Sequence, residues 1–466
     1  MKNKIYDILV VGSGLSSLTF IEAFLEKHKK IDVISFNKSK KKISKTNNEH
    51  IYKILPPQMI GVEKEVQDYF YFNKILVNTK SKFFGSLEFG GLSNYWGLQI
   101  DKNISGDIAY LTKKTQKKIY DSFVEIFQKS NLIGKLNTEV KNPYVKNEYI
   151  DKKFFRKNKN LFLDEPILAF QKKNKVKVQL DQINENKDKL TPFNFYKKKL
   201  NKKKIIFHNY FVEEIKNHKY GLVLCCSNGY QKKSFITKKL ILGCGTLITT
   251  KLIMNYLNIT KEVKINHHPR IFSLYFSKKK WRNKMKFQPS HLHLKPKKTP
   301  FLFTADFRPG NKVIIDAMIK FKFFLIPFKF FLNLLREYFV FSNIFFEPKY
   351  GNLYIKKKQD MYEVYSKKKN TKKLFKKVNK MIYKFLINTK KILPFFVSYF
   401  PGYGADFHYF GTILMGKKSQ LSVNENCQLH KNKKIYLIDG SVLNFKINKY
   451  PLGLIMANSR RVGKNI

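Results

Sequence analysis

The stretch Ile5-Tyr6-Asp7-Ile8-Leu9-Val10-Val11-Gly12-Ser13-Gly14-Leu15-Ser16-Ser17-Leu18 decides the fold. Ile5 to Val11 is an apolar run broken only at Asp7, the pattern of a buried strand. Gly12-Ser13-Gly14 reads as a tight turn, and from Leu15 to roughly His28 apolar residues recur at helical spacing. Ile31 to Ser35 is a second short strand, so the unit is β-α-β of the dinucleotide-binding kind. In such a unit Gly12 permits the turn. Gly14 lets the backbone approach a pyrophosphate, whose charge meets the positive end of the helix. Ser17 replaces the third glycine and is small enough to keep helix against strand. The acidic residue that usually closes the second strand is missing, which leaves Ser35 or Asn37 to hold ribose hydroxyls by neutral hydrogen bonds.

Outward from this unit, 466 residues with 43% apolar content suffice for two domains with cores of their own. The formal net charge is +58. Lys carries nearly all of it and is enriched together with Asn, Ile, Phe and Tyr, which reads as compositional bias across the whole chain. The other reading is functional, since such a field attracts phosphates, acidic polysaccharide or an anionic membrane face. No cluster of Arg with aromatics argues for base readout, so no nucleic-acid partner is expected. Cys225, Cys226, Cys244 and Cys427 show neither CxxC spacing nor pairing with His, as expected of free thiols in a reducing compartment. Ile5 to Phe24 mimics a signal peptide, but Asp7 and the glycines break that pattern. No run of ~18 uncharged apolar residues calls for a spanning helix. The expected location is the cytoplasm, with contact at the inner membrane face as the alternative that the charge leaves open.

Further along, Phe89-Gly90-Gly91-Leu92-Ser93-Asn94-Tyr95-Trp96-Gly97 is a glycine-bounded loop, and Ala109 to Lys204 is basic with weak periodicity. Ile205 to Ile215, which contains Val212, and Tyr220 to Cys226 read as strands, and Leu240 to Gly245 as a buried strand ending in glycines. Phe301 to Phe307 and Val313 to Phe323 read as strands of a second domain. Phe321 to Phe346 is dense in aromatics and has two readings: core under a sheet, which we favour, or a segment resting on a membrane. Thr371 to Leu393 is an amphipathic helix that Pro394 ends. His291 and His293 alternate on a strand; two residues at that spacing make a thin metal signal, and no metal site is expected.

Near the end come His408-Tyr409-Phe410-Gly411-Thr412 with Met415-Gly416, then Ile435 to Val442 containing Asp439-Gly440-Ser441, then Tyr450-Pro451 before an apolar helix. In order and spacing these resemble the C-terminal signature of the glucose-methanol-choline (GMC) oxidoreductase family. Gly90-Gly91-x-Ser93-x-x-Trp96-Gly97 is similar to that family's flavin-contacting loop, Leu240 to Gly245 to its cofactor-domain strand, and Asn266-His267-His268-Pro269 to its D-H-P element.

The resemblance implies an α/β fold: a Rossmann-like FAD-binding domain built from discontinuous segments, with an inserted α+β substrate domain carrying an antiparallel sheet. The expected segments are 1–110, 205–265 and 401–466 for the FAD domain, 111–204 for a cap region and 266–400 for the substrate domain. FAD binding is expected at Gly12, Gly14, Ser17, Asn37, Gly91, Ser93, Asn94, Trp96, Val212, Gly245, Asp439, Gly440 and Pro451. Tyr95 stands where some relatives tether the flavin through a His, so the FAD is expected to be non-covalent. His408 matches the family's base, which takes the hydroxyl proton while a hydride passes from carbon to flavin N5. An imidazole suits that task because it titrates near neutral pH. The second catalytic position falls on Tyr450, where relatives have His or Asn, and Asn448 is its neighbour. His267 and His268 are read as support for a loop near the cofactor domain. The expected substrate is a small-molecule alcohol or sugar, with a carbohydrate or glycoconjugate hydroxyl as the guess, and the electron acceptor is left open. The alternatives are a flavin-binding or non-catalytic interaction protein and a membrane-peripheral dehydrogenase feeding quinone.

Overall fold

The opening strand forms at Ile5–Val11, its helix at Leu15–Phe24 and the second strand at Ile31–Ile34. The computed structural model describes residues 4–37, 64–78, 83–101, 104–129, 132–133, 160–164, 167–171, 189–278, 280, 292–297, 302–310, 315, 323–388, 390–416, 419–447 and 449–466. The fold is mixed α/β with several sheets.

Strand Ile5–Val11 lies in the middle of a parallel array. Its neighbours are Ile31–Ile34 on one side and Lys232–Leu242 on the other. Ile205–His208 and Asn432–Leu437 extend the array outward, again in parallel. Leu9, Val10 and Val11 sit in register with Leu240, Ile241 and Leu242, and all six are buried. A strand covered on both faces has no polar side to show, which is why these runs are continuously apolar. The first half of Lys232–Leu242 instead pairs antiparallel with Gly221–Ser227, which pairs in turn with Phe211–His218. The strand expected over Ile205 to Ile215 is therefore two strands, which meet at Asn209-Tyr210 and lie at opposite edges of the sheet path. Helix Leu452–Asn465 packs against Leu15–Phe24, so the two ends of the chain build one layer.

A second sheet is antiparallel, in the order Ile392–Tyr399, Arg270–Ser277, Phe339–Phe346, Phe303–Pro309, Leu292–Pro296, Leu161–Asp164. Helix Lys372–Ile387 buries Phe375, Val378, Ile382, Phe385 and Leu386 in the same core as Tyr275, Ile344 and Phe346 of this sheet. A smaller four-stranded sheet joins Val263–Ile265, Leu353–Lys358, Met361–Ser366 and Ile75–Asn78.

Three details differ from the sequence reading. The amphipathic helix ends at Ile387, and Lys390 turns the chain at φ 60°. Pro394 then lies inside Ile392–Tyr399, a strand at the sheet's edge, where its missing N–H interrupts little. The aromatic stretch divides in two. Phe339–Phe346 is buried throughout, between two neighbouring strands. The helical turns from Phe323 to Tyr338 leave Ile326, Phe328, Phe330, Phe331, Leu334 and Leu335 exposed, so the core reading fails for that half. The strand expected over Val313 to Phe323 falls outside the described residues apart from Ile315 and Phe323. Among the described residues no helix is long and apolar enough to cross a membrane.

Candidate functional site

One cavity of about 360 Å³ lies where the parallel sheet meets the antiparallel one. Three helices begin on it: Leu15–Phe24 after Gly12-Ser13-Gly14, Thr246–Tyr256 after Gly245, and Leu452–Asn465 after Pro451. Each helix start carries N–H groups without intrahelical partners and the positive end of its dipole, so the wall favours a bound anion. Gly12 has φ +111°, and a Cβ there would stand 2.4 Å from the Gly243 carbonyl oxygen. Gly245 has φ +89° with nothing within 4 Å of the position a Cβ would take. The backbone thus turns sharply at Gly12 against the next strand and stays bare at Gly245. Such a cradle fits a pyrophosphate that must approach main-chain N–H groups.

Hydroxyls knit this wall to the loop at residues 89–97. Ser93 Oγ accepts from Leu15 N at 3.1 Å, and Ser13 Oγ accepts from Gly90 N at 3.0 Å and from Ser35 Oγ at 2.7 Å. Trp96 Nε1 donates to the Leu190 carbonyl at 2.9 Å, and Tyr95 Oη donates to Glu88 Oε2 at 3.1 Å. Asp439 is buried: its Oδ2 accepts from Gly245 N at 3.0 Å and from the Thr249 hydroxyl, and its Oδ1 from Ser441 N at 3.0 Å. It ties the end of the last strand to the start of helix Thr246–Tyr256.

The other end of the cavity holds His408. Its loop is pinned from several sides. Asp406 Oδ1 accepts from His408 N at 3.0 Å, and Asp406 Oδ2 accepts from His267 Nδ1 at 2.6 Å. Arg270 donates to the Ala405 carbonyl, and Phe407, at φ 65°, packs its ring 4.4 Å from Phe84. Burial alone would raise the Asp406 carboxyl, but His267, His408 and Arg270 outweigh it and hold it below the usual range.

Hydrogen bonds decide which nitrogen of His408 carries the proton. His268 is fully buried, and its Nε2 lies 2.9 Å from the Phe445 carbonyl oxygen. A carbonyl only accepts, so Nε2 bears the hydrogen. Burial, with Lys449 and His408 adding to it, pushes His268 well below its ordinary pKa, and the ring is neutral. Its Nδ1 is then a lone pair, 3.2 Å from His408 Nδ1, which must donate. Burial also pushes His408 down to about 4. Near neutral pH, His408 therefore holds its proton on Nδ1 and keeps a lone pair on Nε2.

Phe345 stacks on His408 at 5.2 Å and 22°, and Tyr450 meets it edge-on at 6.4 Å and 70°. Burial, then the charges of Asp306 and Asp101, raise the Tyr450 phenol far above its ordinary value, so it is a donor and never a base. His293 stacks on Tyr450 at 4.7 Å. Asp306 accepts from Asn343 N at 2.8 Å and from Arg308 at 2.9 Å, giving the cavity a polar stretch of wall beside Phe345, which follows Asn343 on the same strand.

Of the residues singled out in the sequence, Gly12, Gly14, Gly91, Ser93, Trp96, Val212, Gly245, His408, Asp439, Gly440, Tyr450 and Pro451 line this one cavity. Ser17, Asn37 and Asn94 do not line it. Ser17 Oγ donates to the Gly243 carbonyl at 3.1 Å, Asn37 N donates to Asn209 Oδ1 at 2.7 Å, and Asn94 Nδ2 donates to the Phe89 carbonyl at 2.8 Å. Ser35, not Asn37, faces the cavity from the end of the second strand. His291 and Asn448 lie outside the described residues. The sequence reading missed Asp406 and Arg270 and placed His268 only as loop support. Asp406 lies two residues before His408, whereas His268 and Arg270 reach the His408 loop across some 140 and 135 residues of chain, and only the D-H-P-like Asn266-His267-His268-Pro269 hinted at that.

No protein-family model matches the sequence, and no curated protein matches it. The fold is found among solved structures. It matches pyridoxine 4-oxidase from Mesorbium loti with a TM-score of 0.59 over 99% of each chain, at 10% identity. At that identity the likeness is one of fold, and it extends from end to end of both chains.

Proposed function

We propose that this chain is an FAD-dependent oxidoreductase of the GMC type that oxidises a CH–OH group. The observation that carries the reading is that His408, with a lone pair on Nε2, shares one cavity with three helix N-termini. The first supplies a base, and the second supplies seats for a pyrophosphate and for negative charge on a cofactor. That the fold is shared with an oxidase over the full chain supports the same reading.

A bound flavin supplies a two-electron acceptor for the hydride of the alcohol carbon. The chain's own part is to place the alcohol and take its proton. Tyr450 donates to the hydroxyl oxygen and holds it beside His408. Nε2 of His408 receives the hydroxyl proton, and His268 keeps Nε2 free for it. Phe345 and Phe407 shield the spot from water, while Asp306, Arg308 and Asn343 offer a polar wall to further hydroxyls of a carbohydrate or glycoconjugate. Gly12, Gly14 and the hydroxyls of Ser13 and Ser35 hold the dinucleotide without the usual acid. Tyr95, bonded to Glu88, leaves the flavin untethered.

The test is an absorption spectrum of the purified protein before and after acid precipitation, followed by dye-linked assays with sugars and alcohols. Flavin bands released to the supernatant, and dye reduction with a hydroxyl substrate, support the reading. A colourless protein that FAD does not reconstitute overturns it in favour of a non-catalytic role.

A further inference from the structure

We propose that the helical turns Phe323–Tyr338 dock this protein on an anionic phospholipid surface. Ile326, Phe328, Phe330, Phe331, Leu334 and Leu335 all point into solvent, with Phe330 71% and Phe331 63% exposed. Helix Lys329–Leu334 buries none of its residues. Large apolar side chains exposed singly are ordinary, but six within ten positions form a patch that water disfavours and a lipid interface accepts.

The patch continues onto the edge strand Ile392–Tyr399. Exposed Phe395 packs its ring 4.7 Å from Phe276, which meets Phe339 at 5.1 Å, at the end of the same helical turns. Positive charge surrounds it. Lys280 Nζ lies 5.9 Å over the Tyr338 ring, Lys278 N bonds to the Lys391 carbonyl, and Lys329, Arg336 and Lys390 are exposed. From Phe323 to Tyr338 the one acidic residue is Glu337. Aromatics ringed by lysines match the two halves of an anionic bilayer surface, acyl boundary and headgroup. A second copy of the chain fits poorly, because each copy carries +58 and repels the other.

The face is also joined to the cavity. Leu332 of the exposed helix packs on a small apolar cluster that contains Phe272 and Phe341, and both of these line the cavity. The docking proposal does not depend on the flavin reading, which it would serve by bringing amphiphilic substrates or acceptors to the cavity.

The experiment is co-sedimentation of the full chain, at physiological salt, with vesicles of phosphatidylcholine containing 30% phosphatidylglycerol and with phosphatidylcholine alone. Phe330→Ser/Phe331→Ser is the variant, at exposed positions where the fold loses no packing. The wild type is expected to pellet with the anionic vesicles, and the variant to bind them about tenfold or more weakly. Wild type left in the supernatant overturns the proposal. So does a variant that binds as tightly as wild type, since charge alone would then explain the binding. A wild-type dimer that the variant dissolves in size-exclusion chromatography overturns it in favour of a second copy.

Discussion

His268 Nδ1 lies 3.2 Å from His408 Nδ1, and the other nitrogen of His268 is spent on the Phe445 carbonyl. Two neutral imidazoles in that order, His268 buried and His408 half-buried at the cavity, can hold only one pattern of protons. His268 thereby sets the tautomer of His408 without touching the cavity itself. Replacing it with Ala should lower turnover by roughly 10- to 100-fold while flavin stays bound. His268→Gln, whose amide oxygen can accept the same hydrogen, should recover part of the loss. Equal rates for the Ala and Gln variants would mean that packing, not proton placement, is what His268 provides.

His408→Ala should retain the flavin spectrum and lose turnover by a factor on the order of 100 to 10,000. A steady-state assay with a dye acceptor decides the matter, and a variant that keeps the wild-type rate removes His408 as the base.

The acid side of the pH–rate profile should lie far below the ordinary histidine range. Burial pushes His408 down to about 4, so it remains an unprotonated base through mildly acid solution. An acid limb of kcat/KM near 6.5 would contradict this. The same burial bears on stability. Between its ordinary value, about 6.5, and about 4, the unfolded chain takes up a proton that folded His408 refuses. Stability from this group is therefore full above about 6.5 and is lost as pH falls toward 4, by on the order of 3 kcal/mol. Denaturant titrations at pH 7 and pH 4.5 measure it.

Gly12→Ala and Gly245→Ala should fail in different ways. Both residues have positive φ outside the left-handed helical region, which costs a side chain on the order of 1–3 kcal/mol. At Gly12 the new methyl also meets the Gly243 carbonyl at 2.4 Å, so its thermal midpoint should fall well below that of Gly245→Ala. At Gly245 the methyl meets no protein atom and projects into the cavity's margin, so weakened FAD binding should dominate. Flavin titration with thermal melts of both variants separates the two effects.

Asp406→Asn should destabilise the protein by about 3 kcal/mol, because Asp406 and His267 form a buried pair with the Arg270 guanidinium close by. Unfolding midpoints in denaturant test it, and a loss under 1 kcal/mol would show that the pair is dispensable.

Local pattern carried much of this fold. The apolar run Ile5 to Val11, the glycine turn and the helix after it are specified by residues within a few positions of one another, and they form where expected. Glycines are legible because their backbone freedom is intrinsic to the residue. The helix over Lys372–Ile387 was likewise written in its spacing, although its end was not, since Pro394 is tolerated at a sheet edge that no local pattern reveals. Whether an aromatic run is buried depends on what packs over it. Phe339–Phe346 and Phe328 to Phe331 look alike in sequence, yet one is the middle of a sheet and the other stands in solvent. The same limit applies at His408. Its identity as a candidate base was legible in the motif around it. Its proton, its depressed pKa and its dependence on His268 and Arg270 were not, because burial and hydrogen bonds between distant segments create them, and only the folded chain brings those segments together.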